Sequence, residues 1–470
     1  MAADQFDAVV IGSGPNGLSA GITLGEAGRR VLVLEAAGRP GGGLRSEELL
    51  EPGCRHDLCA TVAALVALSP ALRKLRLDLV TPRAAMAHPF DDGTAAVVEG
   101  SVSTTAATLG SDGPAYRRLL RPLVANATEV VEAALGPIRI PRRPLLLARF
   151  GLPAVLPAAV LGGFAFKGRE ARAILAGMAA HSMLPLTEPG STAAGLVMLV
   201  SAHATGWPFI RGGSAAAAES MVRRIEALGG EVRCGIRVRS VDELPDHRAA
   251  LFDVMPEALV RIAGARLAAA YREQLEQYRY GPGVFKVDWV LDAPIPWRAK
   301  ECTRAGTVHL AGTAEEVVES EEQVAQGRHP GRPFVLLTQP TLFDRTRATP
   351  GREVAWAYCH VPNGSDQDMT DAIEAQVERF APGFRDRVRG RRTWSPSQVE
   401  ELDPNCVGGD IGGGRSDLRQ LLTRPAARAD PYRTSDPSLY LCSAATPPGP
   451  GVHGLCGWYA ARSALRSVLA

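Results

Sequence analysis

The sequence predicts an α/β fold: a discontinuous Rossmann-like dinucleotide-binding domain, interrupted by an inserted α+β domain with a mixed sheet and helices. Three observations predict it. An apolar strand at residues 6–11 runs straight into Gly12-Ser13-Gly14-Pro15-Asn16-Gly17. A helix from Gly17 to Ala27 and a second apolar strand from Val31 to Glu35 complete one βαβ unit. Far along the chain a strand at Leu439 to Ser443, a Pro/Gly loop and a helix from Val452 return to the same pattern.

Each element follows in order. After the second strand, residues 38–46 form another Gly-rich loop. From about 60 to 135 the pattern is mostly helical, with a break at 82–93 where Pro and Gly interrupt it. A helix from Met221 leads past Gly229-Gly230 into a strand carrying Val238, and residues 242–246 make a short connection. Segments 284–291, 307–311, 334–338 and 354–361 read as strands of a mixed sheet, followed by a helix at 370–380 and a Gly-rich stretch at 408–414. This places residues 1–85, 211–265 and 402–470 in the dinucleotide domain, and 86–210 and 266–401 in the substrate domain.

Bulk properties narrow the function classes. The 470 residues are 46% hydrophobic and 22% charged, enough for a large core and more than one domain. A net charge of +2 without a basic block argues against nucleic acid. Eight cysteines in so long a chain are no disulfide framework. The first strand begins so early that no leader is expected, and a cytoplasmic setting follows by default. Residues 150–166 carry no charge and are flanked by Arg142, Arg143 and Arg149 before and Lys167 and Arg169 after. They are short for a spanning helix and broken by Pro153, Pro157, Gly162 and Gly163. Two readings stand: a buried or lid helix pair, or a monotopic patch touching the inner face of a membrane.

The first Gly loop carries the chemistry. Gly12 allows a tight turn, Gly14 lets the backbone approach phosphates, and Gly17 lets helix and strand pack closely. Pro15 and Asn16 open the helix, whose free N–H groups and partial positive charge suit a pyrophosphate. Glu35, at the end of the second strand, suits ribose hydroxyls. Gly449 to Gly454 repeat the GxGxxG spacing, but no strand and acid follow it, so no second dinucleotide domain is read there.

The stretch Glu35-Ala36-Ala37-Gly38-Arg39-Pro40-Gly41-Gly42-Gly43-Leu44-Arg45-Ser46 resembles the E-A-x-x-R-x-G-G signature of the flavoprotein group that holds amine oxidases and phytoene desaturases. Many members place Arg directly after Gly-Gly; here Gly43 stands there and Arg45 is the next arginine. Ser443-Ala444-Ala445-Thr446-Pro447-Pro448-Gly449-Pro450-Gly451-Val452-His453-Gly454 resembles the terminal flavin motif of the phytoene dehydrogenase-like family, with Cys442, Pro447 and His453 departing from it. Arg211-Gly212-Gly213-Ser214 resembles the step by which that family returns to the cofactor domain. The likeness covers most of the chain and looks closest to the branch labelled pyridine-nucleotide-disulfide-oxidoreductase-like. It implies non-covalent FAD held by Gly12, Gly14, Pro15, Asn16, Gly17, Glu35, Ala36, Arg39, Gly42, Gly43, Leu44, Arg45, Val238, Ser443, Ala444, Gly451, Val452 and His453. It implies a dehydrogenase or desaturase that passes hydride from a C–H of an apolar or conjugated small molecule to the flavin. The electron acceptor, whether oxygen, a quinone or another, stays open.

Candidate catalytic residues are His56 and Asp57, which follow the second Gly loop, and Lys286, on a strand resembling the one beneath the flavin in amine oxidases. Each has a plainer reading: a structural hydrogen bond for the first two, an edge-strand lysine for the third. His181 and His203 read as satisfied polar groups, and Trp289, Trp297, Trp356 and Tyr358 as core or cavity wall. Cys54 and Cys59 share the CxxxxC spacing of disulfide reductases, which keeps a dithiol oxidoreductase as one alternative. A flavin amine oxidase, a non-redox isomerase and a non-catalytic flavin-stabilised adaptor are the others. No spacing suggests a metal site.

Overall fold

The computed structural model describes residues 5–137 and 143–470, so Arg142 lies outside the described residues. Strand β1 (Ala8–Ile11), helix α1 (Pro15–Glu26) and strand β2 (Val31–Leu34) form the expected opening unit. Both strands are uninterrupted apolar runs, as a parallel strand buried on two faces requires. They lie in a five-stranded parallel sheet ordered Leu439–Leu441, Ala249–Phe252, β1, β2, Glu231–Arg233. Alternate residues go to opposite cores. Val10 and Val33 pack with α1 and the helices Ala215–Ala227 and Leu455–Leu465; Ile11 and Leu34 pack with Pro256–Ala263 and Ala269–Glu276 on the other face.

The second sheet has seven strands in the order Val388–Trp394, Gly283–Leu291, Glu353–Val361, Val335–Thr338, Ala305–Leu310, Ala84–Pro89, Ala95–Glu99. All neighbours are antiparallel except Ala305–Leu310 beside Ala84–Pro89. Trp394, Lys286, Tyr358, Leu336 and His309 stand directly opposite one another across five strands, so they share one face. Their alternates Phe285, Val287, Val335 and Ala357 fill the other face against Ile373, Val377 and Phe380 of the helix Thr370–Phe380. The polar residues of this sheet therefore look toward the dinucleotide domain.

Several expectations need correcting. The region 60–135 is less helical than its composition suggests: the break at 82–93 is a β-hairpin, turning at Asp92-Gly93, where Asp92 accepts from the Thr94 N–H and hydroxyl. Asp-Gly is a hairpin signal in its own right, and Ala-rich strands hid it. The strand after Gly230 stops at Arg233, because Gly235 takes φ +76°; Val238 sits in the loop beyond. The last helix starts at Leu455, not Val452, because Gly449, Gly451 and Gly454 all take positive φ. Lys286 lies on an interior strand, not an edge.

Residues 150–166 form the bent pair Pro144–Ala154 and Ala158–Ala165, at 103° to each other. Among the described residues, eight large hydrophobic side chains are exposed, and six belong to this pair and its joint: Leu145, Leu152, Val155, Leu156, Val160 and Phe164. The inner edge, Phe150, Ala154, Ala158 and Leu161, is buried. The pair is thus a surface feature and not a core element. No single helix among the described residues is long and apolar enough to cross a membrane.

Candidate functional site

The glycines of the first loop leave no room for side chains at their positions. A Cβ on Gly17 would lie 2.0 Å from the Gly12 carbonyl oxygen, and one on Gly14 would lie 2.8 Å from Asp253 Oδ2. Gly12 itself takes φ +98°, which only glycine adopts cheaply. Helix α1 starts at Pro15 with no side-chain cap from Gly14, so its N-terminus opens toward the loop. Glu35 reaches back to this loop: Oε2 accepts from the Ser13 N–H at 2.9 Å and hydroxyl at 2.6 Å, and Oε1 from the Ala37 N–H at 2.7 Å.

A continuous cavity of about 880 Å³ begins at this loop. It passes Glu35, Ala36 and the Ile236–Arg239 segment at one end, then Gly42, Gly43, Arg45, Asp403 and Asn405. It continues past Gly412, Ala444, Gly451 and Val452, and ends among Val62, Leu65, His181, Met198, Trp207, Trp356 and Tyr358, beside the polar face of the seven-stranded sheet.

Most residues expected at a cofactor share this wall: Gly12, Gly14, Pro15, Asn16, Glu35, Ala36, Gly42, Gly43, Arg45, Val238, Ala444, Gly451 and Val452. Gly17 and Leu44 lie just behind it. Arg45 is anchored by its own hydrogen bonds to the carbonyls of Gly42 and Leu402. Arg39 is exposed and lines a separate surface groove with Arg55. Ser443 is buried in a turn, its hydroxyl accepting from the Ala445 N–H. The His453 ring is buried, its Nδ1 accepting from the Leu455 N–H, and burial pushes its pKa down to about 4. It shapes the backbone before the last helix.

Asp253 was not foreseen. It follows the strand Ala249–Phe252, and its Oδ2 accepts from the Gly17 N–H at 2.7 Å, on the first turn of α1. Asn405 fixes this segment by donating to the Asp253 carbonyl and accepting from the Met255 N–H. Burial drives the Asp253 pKa up to about 8; the Gly17 N–H opposes the rise, and Asp403 and Glu35 add to it. Below that pH the carboxyl is neutral and tolerates an anion beside it; above it, it ionises next to the same helix end. A dinucleotide diphosphate should therefore bind less tightly as pH rises through about 8. Asp253→Asn, which mimics the neutral acid, should hold its affinity flat across that range. Equilibrium dialysis against FAD checks this, and a pH-independent wild type would refute it.

The three candidate catalytic groups meet, but outside the cavity wall. His56 Nδ1 and Asp288 Oδ1 are 3.3 Å apart; Lys286 Nζ donates to Asp288 Oδ2 at 2.5 Å and to the Asp57 carbonyl at 3.2 Å; Trp394 Nε1 donates to the same Asp288. Asp57 accepts from the Ser46, Thr61 and Ser214 hydroxyls, the Ser214 N–H and Arg347 Nη1. Five donors saturate a carboxylate's lone pairs. Burial pushes the Asp57 carboxyl up, yet Arg347, Ser46 and Ser214 together hold it below the usual range. Arg347 is itself fully buried and also reaches Asp344 and the Ile210 carbonyl. This cluster joins the second Gly loop, the return segment at 210–214 and the loop after Val335–Thr338. Its geometry is that of a structural junction.

Cys54 is buried against Val290 and Val354, whereas Cys59 lines the cavity. All eight cysteines are free, and burial, aided by Asp403, raises the Cys59 thiol to about 11. A thiol held protonated is a poor redox nucleophile. His203 accepts from or donates to Tyr116 at 2.7 Å inside the helical core, away from the cavity. Trp289 and Trp297 are core; Trp356 and Tyr358 stack at 11° and face the cavity.

A profile of the NAD(P)-binding Rossmann-like domain matches residues 10–75. The chain is 25% identical to rat (Rattus norvegicus) pyridine nucleotide-disulfide oxidoreductase domain-containing protein 2, over 99% of this chain and 94% of that one. It is 24% identical to the neurosporene-forming phytoene desaturase of Rhodobacter capsulatus, over 96% and 92%. A putrescine oxidase structure with putrescine bound shares the fold, with a TM-score of 0.62, 19% identity and coverage of 99% and 98%. Over nearly its full length the chain is therefore similar to these two oxidoreductases, and it shares the fold of the putrescine oxidase.

Proposed function

We propose that the chain binds FAD non-covalently and oxidises a C–H bond of a largely apolar small molecule. The observation that carries this reading is the single cavity running from the Gly12–Gly17 loop to the apolar chamber on the seven-stranded sheet. The residues fit the cofactor: the close-packed glycines of the first loop suit a diphosphate, Glu35 suits a ribose, and Gly451 and Val452 of the last Gly-rich loop line the same cavity. Bound there, FAD supplies a hydride acceptor. The chain's own part is to align the substrate C–H and to exclude water with Trp207, Trp356, Tyr358, Met198 and Leu65. No acid or base is required of Asp57 or Lys286, which are held elsewhere.

The test is direct. Purified protein should carry a flavin spectrum, release FAD on denaturation, and bleach anaerobically with substrate. Colourless protein that binds no added FAD would sink the reading. A yellow protein that converts substrate without bleaching would favour the isomerase alternative; the shared fold of a fatty acid isomerase structure, at TM-score 0.58, keeps that in view.

We also propose that the bent pair rests on an anionic bilayer surface. Phe164 is 90% exposed, Leu145 81% and Leu152 71%, a continuous apolar edge of a kind soluble surfaces rarely carry. Arg143 and Arg169 pair with Glu129 and Asp92, so the exposed Arg149 and Lys167 provide the charge for lipid headgroups. Leu152→Glu with Phe164→Glu should abolish flotation with phosphatidylglycerol-containing vesicles. Inserting two such side chains is worth roughly 3–6 kcal/mol. Unchanged flotation, or self-association by light scattering in place of flotation, would refute it.

A further inference from the structure

His181 and His309 approach through their Nε2 atoms at 3.3 Å. Two facing ring nitrogens share one proton, so one ring donates and the other accepts. His309 decides which. It is fully buried, and its Nδ1 has no hydrogen-bond partner, standing against the backbone of Gly177. A proton there would be an orphaned buried donor, costlier than an idle lone pair. The proton therefore sits on His309 Nε2 and points at His181 Nε2, which leaves His181 with its own proton on Nδ1. Burial first, then neighbouring His360, pushes the His181 pKa down to about 4, in keeping with a neutral ring.

His181 lines the chamber end of the cavity and has no other hydrogen-bond partner among the described residues. Around it the wall is apolar or neutral: Leu65, Met198, Trp207, Leu336, Trp356 and Tyr358. Of the carboxylates that line the cavity, Glu35 and Asp253 stand at the Gly loop and Asp410 accepts from the Gly281, Gly412 and Gly414 N–H groups, while the sheet cation Lys286 is tied to Asp288. We propose that His181 is a specificity residue, whose Nδ1–H binds a neutral oxygen acceptor on the substrate. The substrate is then an apolar molecule bearing a ketone, aldehyde, ether or hydroxyl oxygen, and not a bare hydrocarbon, a carboxylate or a protonated amine. His309 is its positioning residue. This inference rests on the flavoenzyme reading above.

The experiment titrates the FAD-loaded protein with four probes of equal chain length: a methyl ketone, the alkane, the carboxylate and the primary amine. Perturbation of the bound flavin's absorbance gives each affinity. The ketone should bind about tenfold or more tighter than the other three. His181→Phe should bring the ketone down to the alkane's affinity while leaving the alkane unchanged, and His181→Asn, which keeps a donor, should restore part of the preference. A flavin-loaded wild type without ketone preference overturns this inference alone, as does a preference that survives His181→Phe. A wild type that takes up no FAD instead overturns the flavoenzyme reading beneath it. Should His181→Phe fail to fold, the wild-type ranking and His181→Asn still decide the matter.

Discussion

Asp57→Ala should lower the melting temperature by roughly ten degrees or prevent soluble expression. The substitution removes the acceptor for five donors and leaves Arg347, fully buried, with Asp344 as its one carboxylate partner among the described residues. Breaking a buried ion pair from one side costs about 3–5 kcal/mol, because the remaining charge stays desolvated. That is a large share of the roughly 5–15 kcal/mol that keeps a domain folded. Each kcal/mol moves a domain of this size by about 2–4 °C. Differential scanning calorimetry reads the effect. A catalytic Asp57 would give the opposite pattern: an Asp57→Ala protein that folds, melts normally, keeps its flavin and loses turnover alone. That result would restore the sequence-based assignment and refute the junction.

Gly17→Ala should abolish stable FAD binding. The new methyl would sit 2.0 Å from the Gly12 carbonyl oxygen and 3.0 Å from Asp253 Oδ2. The first neighbour is backbone, so the loop must open. Overpacking of this kind costs about 1–3 kcal/mol, or roughly ten- to a hundredfold in affinity. The strain falls on the turn that must approach the diphosphate, so the loss is expected at the upper end. Flavin content after purification, and a dissociation constant from fluorescence quenching, measure it. A Gly17→Ala protein that retains stoichiometric FAD would show that the loop is not the diphosphate site.

What was legible in the sequence depended on whether the physics was local. The Gly loop and Glu35 could be read because a tight turn and a strand-end acid are properties of adjacent residues. The strand Gly283–Leu291 could be read because Lys286 and Asp288 alternate with Phe285, Val287 and Trp289. The hairpin at 84–99 was lost because alanine marks neither strand nor helix in that context, although Asp92-Gly93 announced its turn. The junction was illegible for a different reason. Asp57 meets Arg347 across 290 residues and Asp253 meets Gly17 across 236, and no motif connects them. His56 and Asp57 stood out by following the second Gly loop and Lys286 by its strand; the partners that hold them come from other segments. Residues 150–166 left two readings, a buried or lid helix pair and a membrane-touching patch, since hydrophobicity does not say what covers it.

The order of the parallel sheet has a consequence for biosynthesis. Its edge strand Leu439–Leu441 pairs with Ala249–Phe252, and the helix Leu455–Leu465 packs against α1, hundreds of residues earlier in the chain. The Gly loop thus emerges from the ribosome more than four hundred residues before the segment that closes its cavity. Until then the apolar face of α1 waits without the helix Leu455–Leu465, a state prone to misassembly. On the proposed flavin reading, cofactor loading waits for that segment, and shortage of flavin in the cell would show first as loss of newly made protein, not of protein already folded.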